Sequence, residues 1–300
     1  MTISRELKEL IVAGNLEIIK QGALGQDVKD WVAAGAIAAE NGHDQIVEYL
    51  IKSIGETYEA ATSEDEGELL DEVFYDLLNE AAKEGNNQAA RFIVALSAYR
   101  LDIKEMLPRA FRFAAENGHF EIVKLIVEST EESKRQKLIH FDDNSNDYAF
   151  KKAAENGHLE IVEYLIAATP DQELLQNMIH SEGDYAFEEA ARNGHIEIMN
   201  LLISLTTDQD RIRGMLRTND GASLYWAATN KDSRAANCIL ISESDSDERL
   251  NMIEESFDAF SKSGDLESVK FLTAIARNRA MLPNLTEAEV LDQLVPGAFH

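Results

Sequence analysis

The sequence predicts an all-α protein, a solenoid of about eight stacked helix–turn–helix repeats with short extra helices in the connectors. Three observations predict it. The fourteen-residue stretch AAENGHFEIVKLIV, from Ala114 to Val127, returns almost unchanged as AAENGHLEIVEYLI from Ala153 to Ile166. The apolar positions of both copies follow helical spacing rather than strand alternation. Only 4 prolines occur in 300 residues, which favours helix over long coil linkers.

The repeat has further copies. AAENGHDQIVEYLI begins at Ala38 and AARNGHIEIMNLLI at Ala190. Weaker copies are AAKEGNNQAARFIV from Ala81, AATNKDSRAANCIL from Ala227, AFSKSGDLESVKFL from Ala259 and LIVAGNLEII from Leu10. Their glycines are Gly14, Gly42, Gly85, Gly118, Gly157, Gly194 and Gly264, and Lys231 stands where one is missing. The intervals are 28, 43, 33, 39, 37, 37 and 33 residues. Such a period reads as one stacked repeat domain over 1–300 rather than two globular domains. The Gly14 unit caps one end. The Gly264 unit, with LPNLTEAEVLDQLVPGAFH, caps the other.

Within a unit, Asn-Gly between apolar residues is also a hairpin signal. A hairpin needs period-two alternation on both sides. Here Leu159, Ile161, Val162, Leu165 and Ile166 follow helical spacing, as do Phe150 and the Ala153–Ala154 pair upstream. Alanine favours helix and lets neighbouring helices approach closely. The glycine then ends the first helix in the left-handed conformation. The connectors are patterned too. TPDQELLQNMIH, TDQDRIRGMLR and LDIKEMLPR each space their apolar residues as a short third helix. Thr169 is placed to N-cap one of them with Pro170 in its first turn. Asp147 and Asp184 are placed to N-cap the next first helix.

These residues resemble the ankyrin-repeat family. The AAxNGHxEIVxxLI core matches its two-helix consensus in four units strongly and in four weakly. The family's TPLH tetrapeptide is absent; YAFK at Tyr148–Lys151 and YAFE at Tyr185–Glu188 stand in its place. That departure agrees with connector helices in place of β-hairpin fingers. The style of long, divergent repeats is similar to ankyrin proteins of intracellular bacteria and large viruses that act on host proteins. The resemblance implies a non-catalytic scaffold that binds a partner protein on its concave face. It also implies that residues two and five before the turn glycine point outward there. These are Ile37 and Glu40, Glu80 and Lys83, Phe113 and Glu116, Lys152 and Glu155, Glu189 and Arg192, and Trp226 and Thr229. The candidate partner-binding set is Phe113, Glu116, Lys152, Glu155, Glu189, Arg192, Trp226 and Thr229. The two aromatics stand out, and Trp226 most, because its unit has lost the glycine. A buried tryptophan of the core is the competing reading.

Charge narrows the partners. A net charge of −27, from 55 acidic and 28 basic residues, repels phosphate backbones and anionic lipid. A protein with a basic patch fits better; solubility alone is the plainer account. Cys238 is the single cysteine, so no intramolecular disulfide forms and nothing points to an oxidising compartment. The N-terminus lacks a signal-peptide pattern, and the longest apolar run, WVAAGAIAA, is too short to span a bilayer. The expectation is a cytoplasmic monomer, in the host cytosol if secreted, without cofactor, metal, nucleic acid or membrane insertion.

Reactive residues are weighed against structural roles. His43, His119, His158 and His195 follow the turn glycine. Equivalent residues of stacked units lie roughly 8–10 Å apart, too far to share a zinc ion, so a role in the turn is expected. His140 and His180 end two connectors near Asp142 and Asp143 or Glu182 and Asp184. They are expected as surface-loop histidines; the alternative function is an enzyme, or an enzyme regulator, with its site built there. Cys238 aligns with Leu125, Tyr164 and Leu201 at an inward position, where a thiol is an inert apolar residue. No nucleotide-binding, zinc-protease, hydrolase or kinase signature occurs. ISESDSDERL at Ile241–Leu250 is a phosphate-acceptor candidate, more simply a solvated loop with caps. Thr62–Glu72 reads as an exposed acidic loop leading into a helix. A mimic of nucleic acid is a third, weaker function.

Overall fold

The computed structural model describes residues 4–23, 28–59, 64–96, 103–140, 147–216, 218–231, 233–243 and 246–278. Among these residues every regular element is helical, so the all-α repeat solenoid is confirmed. Six helix pairs flank the turns from Gly42 to Lys231. They are Val28–Glu40 with Asp44–Glu59, Glu64–Glu84 with Asn87–Leu96, Ile103–Glu116 with Phe120–Ser129, Tyr148–Glu155 with Leu159–Ala167, Ser181–Asn193 with Ile196–Leu205, and Thr218–Thr229 with Ser233–Ser242. Arg5–Val12 with Leu16–Ile18 precedes them, and Ser246–Ser263 with Leu266–Asn278 follows. The chain forms two compact units, Met1–Ala149 and Phe150–His300. In the first, Glu64–Glu84 packs on Ile103–Glu116; in the second, Ser181–Asn193 packs on Thr218–Thr229.

The turn explains the copied motif. Gly42, Gly85, Gly118, Gly157, Gly194 and Gly264 have φ between 72° and 79°, where a Cβ is penalised. The following amide then reaches back five residues to close the first helix: His119 N–H bonds Ala114 O at 2.8 Å, and His158, His195 and His43 repeat this on Ala153, Ala190 and Ala38. Asparagine adds a side-chain bond: Asn117 Nδ2 donates to Phe113 O at 2.8 Å and Asn193 Nδ2 to Glu189 O at 3.0 Å. Lys231 keeps the same turn at φ 54° without glycine.

The histidine ring serves the neighbouring unit. His43 Nε2 lies 2.8 Å from Val12 O, His119 Nε2 2.9 Å from Lys83 O, and His195 Nε2 3.0 Å from Glu155 O. Each of those carbonyls is two residues before the preceding turn glycine. The rings lie against those glycines: a Cβ on Gly85 or Gly157 would stand 2.5 Å from the Cε1 atom of His119 or His195. Glycine there meets two demands, the left-handed backbone and the space for the next ring.

The core follows the repeat. The alanine pairs 114–115, 153–154, 190–191 and 227–228 are fully buried, as are Phe111, Phe150, Phe187 and Phe257 seven residues before the turn position. The Gly42 unit departs from this, with Gly35 at that place. A Cβ on Gly35 would lie 2.3 Å from the ring of Phe92, which fills the space from the next unit. Thr130, Thr169 and Thr206 close three second helices through hydroxyl bonds to Ile126 O, Leu165 O and Leu202 O at 2.8, 2.9 and 3.0 Å.

Three connector helices are present, Glu132–His140, Gln172–Ile179 and Gln209–Leu216. Other local expectations are corrected. Gln172–Ile179 is capped by Asp171, whose Oδ1 accepts from Glu173 N and Leu174 N, while Thr169 turns back to the preceding helix. LDIKEMLPR forms no separate helix: from Ile103 it runs unbroken into Ile103–Glu116 with Pro108 inside. The acidic insertion is helical from Glu64 onward, with Thr62 and Ser63 outside the described residues. In ISESDSDERL, Ser246 opens a helix, Glu243 is buried with its side chain 3.7 Å from Arg213 Nε, and Ser244 and Asp245 lie outside the described residues. The C-terminal stretch from Arg279 is also outside them.

Candidate partner-binding face

In the Met1–Ala149 unit, the helices Glu64–Glu84 and Ile103–Glu116 place Tyr75, Lys83, Arg109 and Phe113 together. Phe113 is half-buried. Lys83 Nζ lies 4.2 Å from its ring centroid, and Arg109 Cζ lies 5.5 Å from the same centroid. Arg109 Nη1 donates to Tyr75 Oη at 2.9 Å, and this bond holds the guanidinium above its ordinary pKa. Glu116 accepts from Tyr148 Oη at 3.3 Å, with Arg112 Cζ 5.6 Å from the Tyr148 ring.

In the Phe150–His300 unit, the first helices carry a linked set of ionic groups. Glu155 accepts from Lys152 Nζ at 2.5 Å and from Tyr185 Oη at 2.8 Å. Burial works to raise the Glu155 pKa, but these two bonds outweigh it and the net shift is downward. For Lys152, burial works downward, but the bonds and charge interactions with Glu155 and Tyr185 together outweigh it, so its pKa rises. Arg192 bonds Glu189 at 2.5 Å and Glu188 at 3.2 Å. Glu189 is only 8% exposed, and burial pushes its carboxyl up despite Arg192. Arg192 Cζ then lies 4.8 Å from the centroid of Trp226. Tyr225 meets that ring edge-on at 5.1 Å and itself stacks on Phe260 at 4.6 Å. Trp226 is therefore half-buried, neither a core residue nor a fully exposed one. Thr229 Oγ1 is turned to Tyr225 O at 2.9 Å.

The two aromatics share a rule that residue-by-residue reading did not reveal. Each lies five before its turn position and is covered by the cation two before the preceding turn glycine. The signal was available as an interval between neighbouring copies.

The connector histidines are not surface residues. His140 is 3% exposed, with Nδ1 2.7 Å from Asp147 Oδ1, and Asp147 is itself buried at φ 57°. His180 Nδ1 lies 2.5 Å from Asp184 Oδ1, at the end of a left-handed run through Glu182, Gly183 and Asp184. Both aspartates thus pair with the connector histidine instead of N-capping. Asp142 and Asp143 lie outside the described residues. An imidazole–carboxylate pair has the parts for proton transfer, but at His140 the burial keeps a substrate away. Cys238 is half-buried rather than inward: its Sγ donates to Asn200 Oδ1 at 2.8 Å, and burial raises its pKa. Among the described residues no group of three or more His, Cys, Asp or Glu side chains is placed to hold a metal ion, and no helix is long and apolar enough to cross a membrane.

A family model described as ankyrin repeats (3 copies) matches residues 78–176, 111–213 and 150–252, together more than half of the chain. Among solved structures, the X-ray structure of an ankyrin repeat family protein from Legionella pneumophila is similar at 20% identity and a TM-score of 0.39. The match covers 98% of this chain and 84% of that one. A search of curated proteins finds no match.

Proposed function

The chain belongs to the ankyrin-repeat family, and from that premise we propose that it is a non-catalytic scaffold which binds a partner protein on the face lined by its first helices, the concave face of such a stack. Repeats of this family serve in general as protein-interaction scaffolds, and the fold is typically non-catalytic. The observation that carries the reading is Trp226, a large aromatic left half-exposed while the phenylalanines seven before the turn are fully buried. Half-covered aromatics beside a held arginine are the residue types that dominate binding energies. Phe113, Glu116, Lys152, Glu155, Glu189, Arg192 and Thr229 complete the set.

A partner with a basic patch is drawn by the net charge of −27. The long, divergent repeats, similar in style to those of ankyrin proteins of intracellular bacteria, support a partner in a host cytosol. The test compares wild type with Trp226→Ala as bait in a host-cell lysate. The variant is expected to keep its helical circular dichroism and to retain less than about a tenth of the partner, since hot-spot truncations cost roughly 2 kcal/mol or more. Undiminished capture by a folded Trp226→Ala chain would remove the reading.

A further inference from the structure

Among the described residues, two cations over the Phe113 ring stand without an ion pair in a chain that is acidic overall. The chain holds 55 acidic and 28 basic residues, and in the Phe150–His300 unit the cations of the first helices are used on carboxylates: Lys152 on Glu155, and Arg192 on Glu188 and Glu189. Lys83 and Arg109 differ. Both are exposed, both point at the Phe113 ring, and Arg109 spends one donor on the neutral Tyr75 hydroxyl. Among the described residues neither forms an ion pair. Asp76 acts on Arg109 only through its field.

An aromatic face orients a cation without neutralising it. The attraction is weak at an exposed site, and the ring accepts none of the outward N–H donors. The result is two fixed positive groups flanking one half-buried ring, with donors unspent. We propose that this patch, between the helices Glu64–Glu84 and Ile103–Glu116, receives an acidic segment of the partner protein. A Glu or Asp carboxylate bridges Lys83 and Arg109, and the apolar side chain next to it lies on Phe113. The guanidinium offers a planar fork suited to a carboxylate. A nucleic-acid backbone fits worse, because two cations neutralise few phosphates while the surrounding charge repels the rest.

This rests on the reading that the first-helix face takes a protein. The partner then carries both signs, a basic surface drawn by the overall field and an acidic segment at this patch. The probes are two end-blocked peptides, one bearing Glu-Leu-Glu and one bearing Lys-Leu-Lys, titrated into the full chain while backbone amides are followed by NMR. The Glu peptide is expected to shift amides around Tyr75, Lys83, Arg109 and Phe113. The charge-reversed double variant Lys83→Glu with Arg109→Glu is expected to weaken it at least tenfold, and Lys83→Gln with Arg109→Gln less. Shifts scattered over the molecule, equal shifts from the Lys peptide, undiminished binding by either double variant, or stronger occupation of the patch by a short oligonucleotide would each overturn the proposal. A silent peptide beside intact Trp226-dependent capture would remove this inference alone. A binding peptide beside Trp226-independent capture would remove the scaffold reading of Trp226 and leave the patch.

Discussion

Phe113 and Trp226 occupy the same register in different units, each with a cation from the preceding unit over its ring. The carbonyl of that cation's own residue is held differently. His119 Nε2 lies 2.9 Å from Lys83 O, whereas Arg192 O receives the side-chain amide of Asn230. The charge is also spent differently, since Arg192 is tied to two largely buried carboxylates and Lys83 to none. Among the described residues, one register therefore sets a half-buried aromatic under a neutralised cation in one unit and under cations without an ion pair in the other. Repeat position sets where a side chain goes; its neighbours decide what it is there for.

The strongest way to break the comparison is at the turn. Gly85→Ala forces a left-handed alanine and drives a Cβ into His119, releasing Lys83 O; a loss of about 2–4 kcal/mol is expected. Lys231→Gly relieves the same backbone strain in the unit that lost its glycine, and a gain of about 1 kcal/mol is expected. Urea unfolding measures both, and equal signs would refute the account of the turn. Next comes the cation. Arg192→Ala removes the ion pairs to Glu188 and Glu189 and uncovers Trp226, costing about 1 kcal/mol after allowance for its partial exposure. Lys83→Ala removes only an exposed cation–π contact and costs about 0.5 kcal/mol or less. Equal losses in thermal melts would mean that the carboxylates add nothing.

The smallest effect depends on pH. The folded Glu155 carboxyl lies below its ordinary value of 4.5, so its contribution is present above that value and is lost as pH falls through the lowered one. Glu155→Gln is expected to melt slightly below wild type at about pH 7, with the gap closing as the pH falls through the lowered value. A gap that persists in acid would mean that packing, not the ionised carboxylate, holds Lys152 and Tyr185. Glu189 has the opposite sign: its raised pKa means that its share of stability is fully present below 4.5 and is lost as pH rises from there through the raised value.

What was legible in the sequence was whatever repeats. Alanine pairs, turn glycines and second-helix apolar spacing recur at fixed offsets, so the stack and the two connector helices Gln172–Ile179 and Gln209–Leu216 could be read from one chain. The closing threonines at 130, 169 and 206 were readable in the same way, twelve after each glycine. The His–Asp pairs were not, because their separation changes from seven residues to four and each depends on a left-handed aspartate, which no spacing encodes. The cover over Phe113 and Trp226 was hidden for another reason. It joins side chains some thirty residues apart, and only the stacked register brings them together.

Gly35 and Phe92 carry a consequence for how such a chain can grow. Units whose first helix brings its own phenylalanine are interchangeable parts: one can be duplicated and its copy supplies its own filling. The Gly42 and Gly85 units are a lock and its key, because the hollow is in one and the ring in the other. A gene duplication that inserted a standard unit between them would strand the hollow and leave Phe92 without its socket. Lengthening of the array, in evolution or by design, is thus expected elsewhere, with this pair inherited or deleted as a whole.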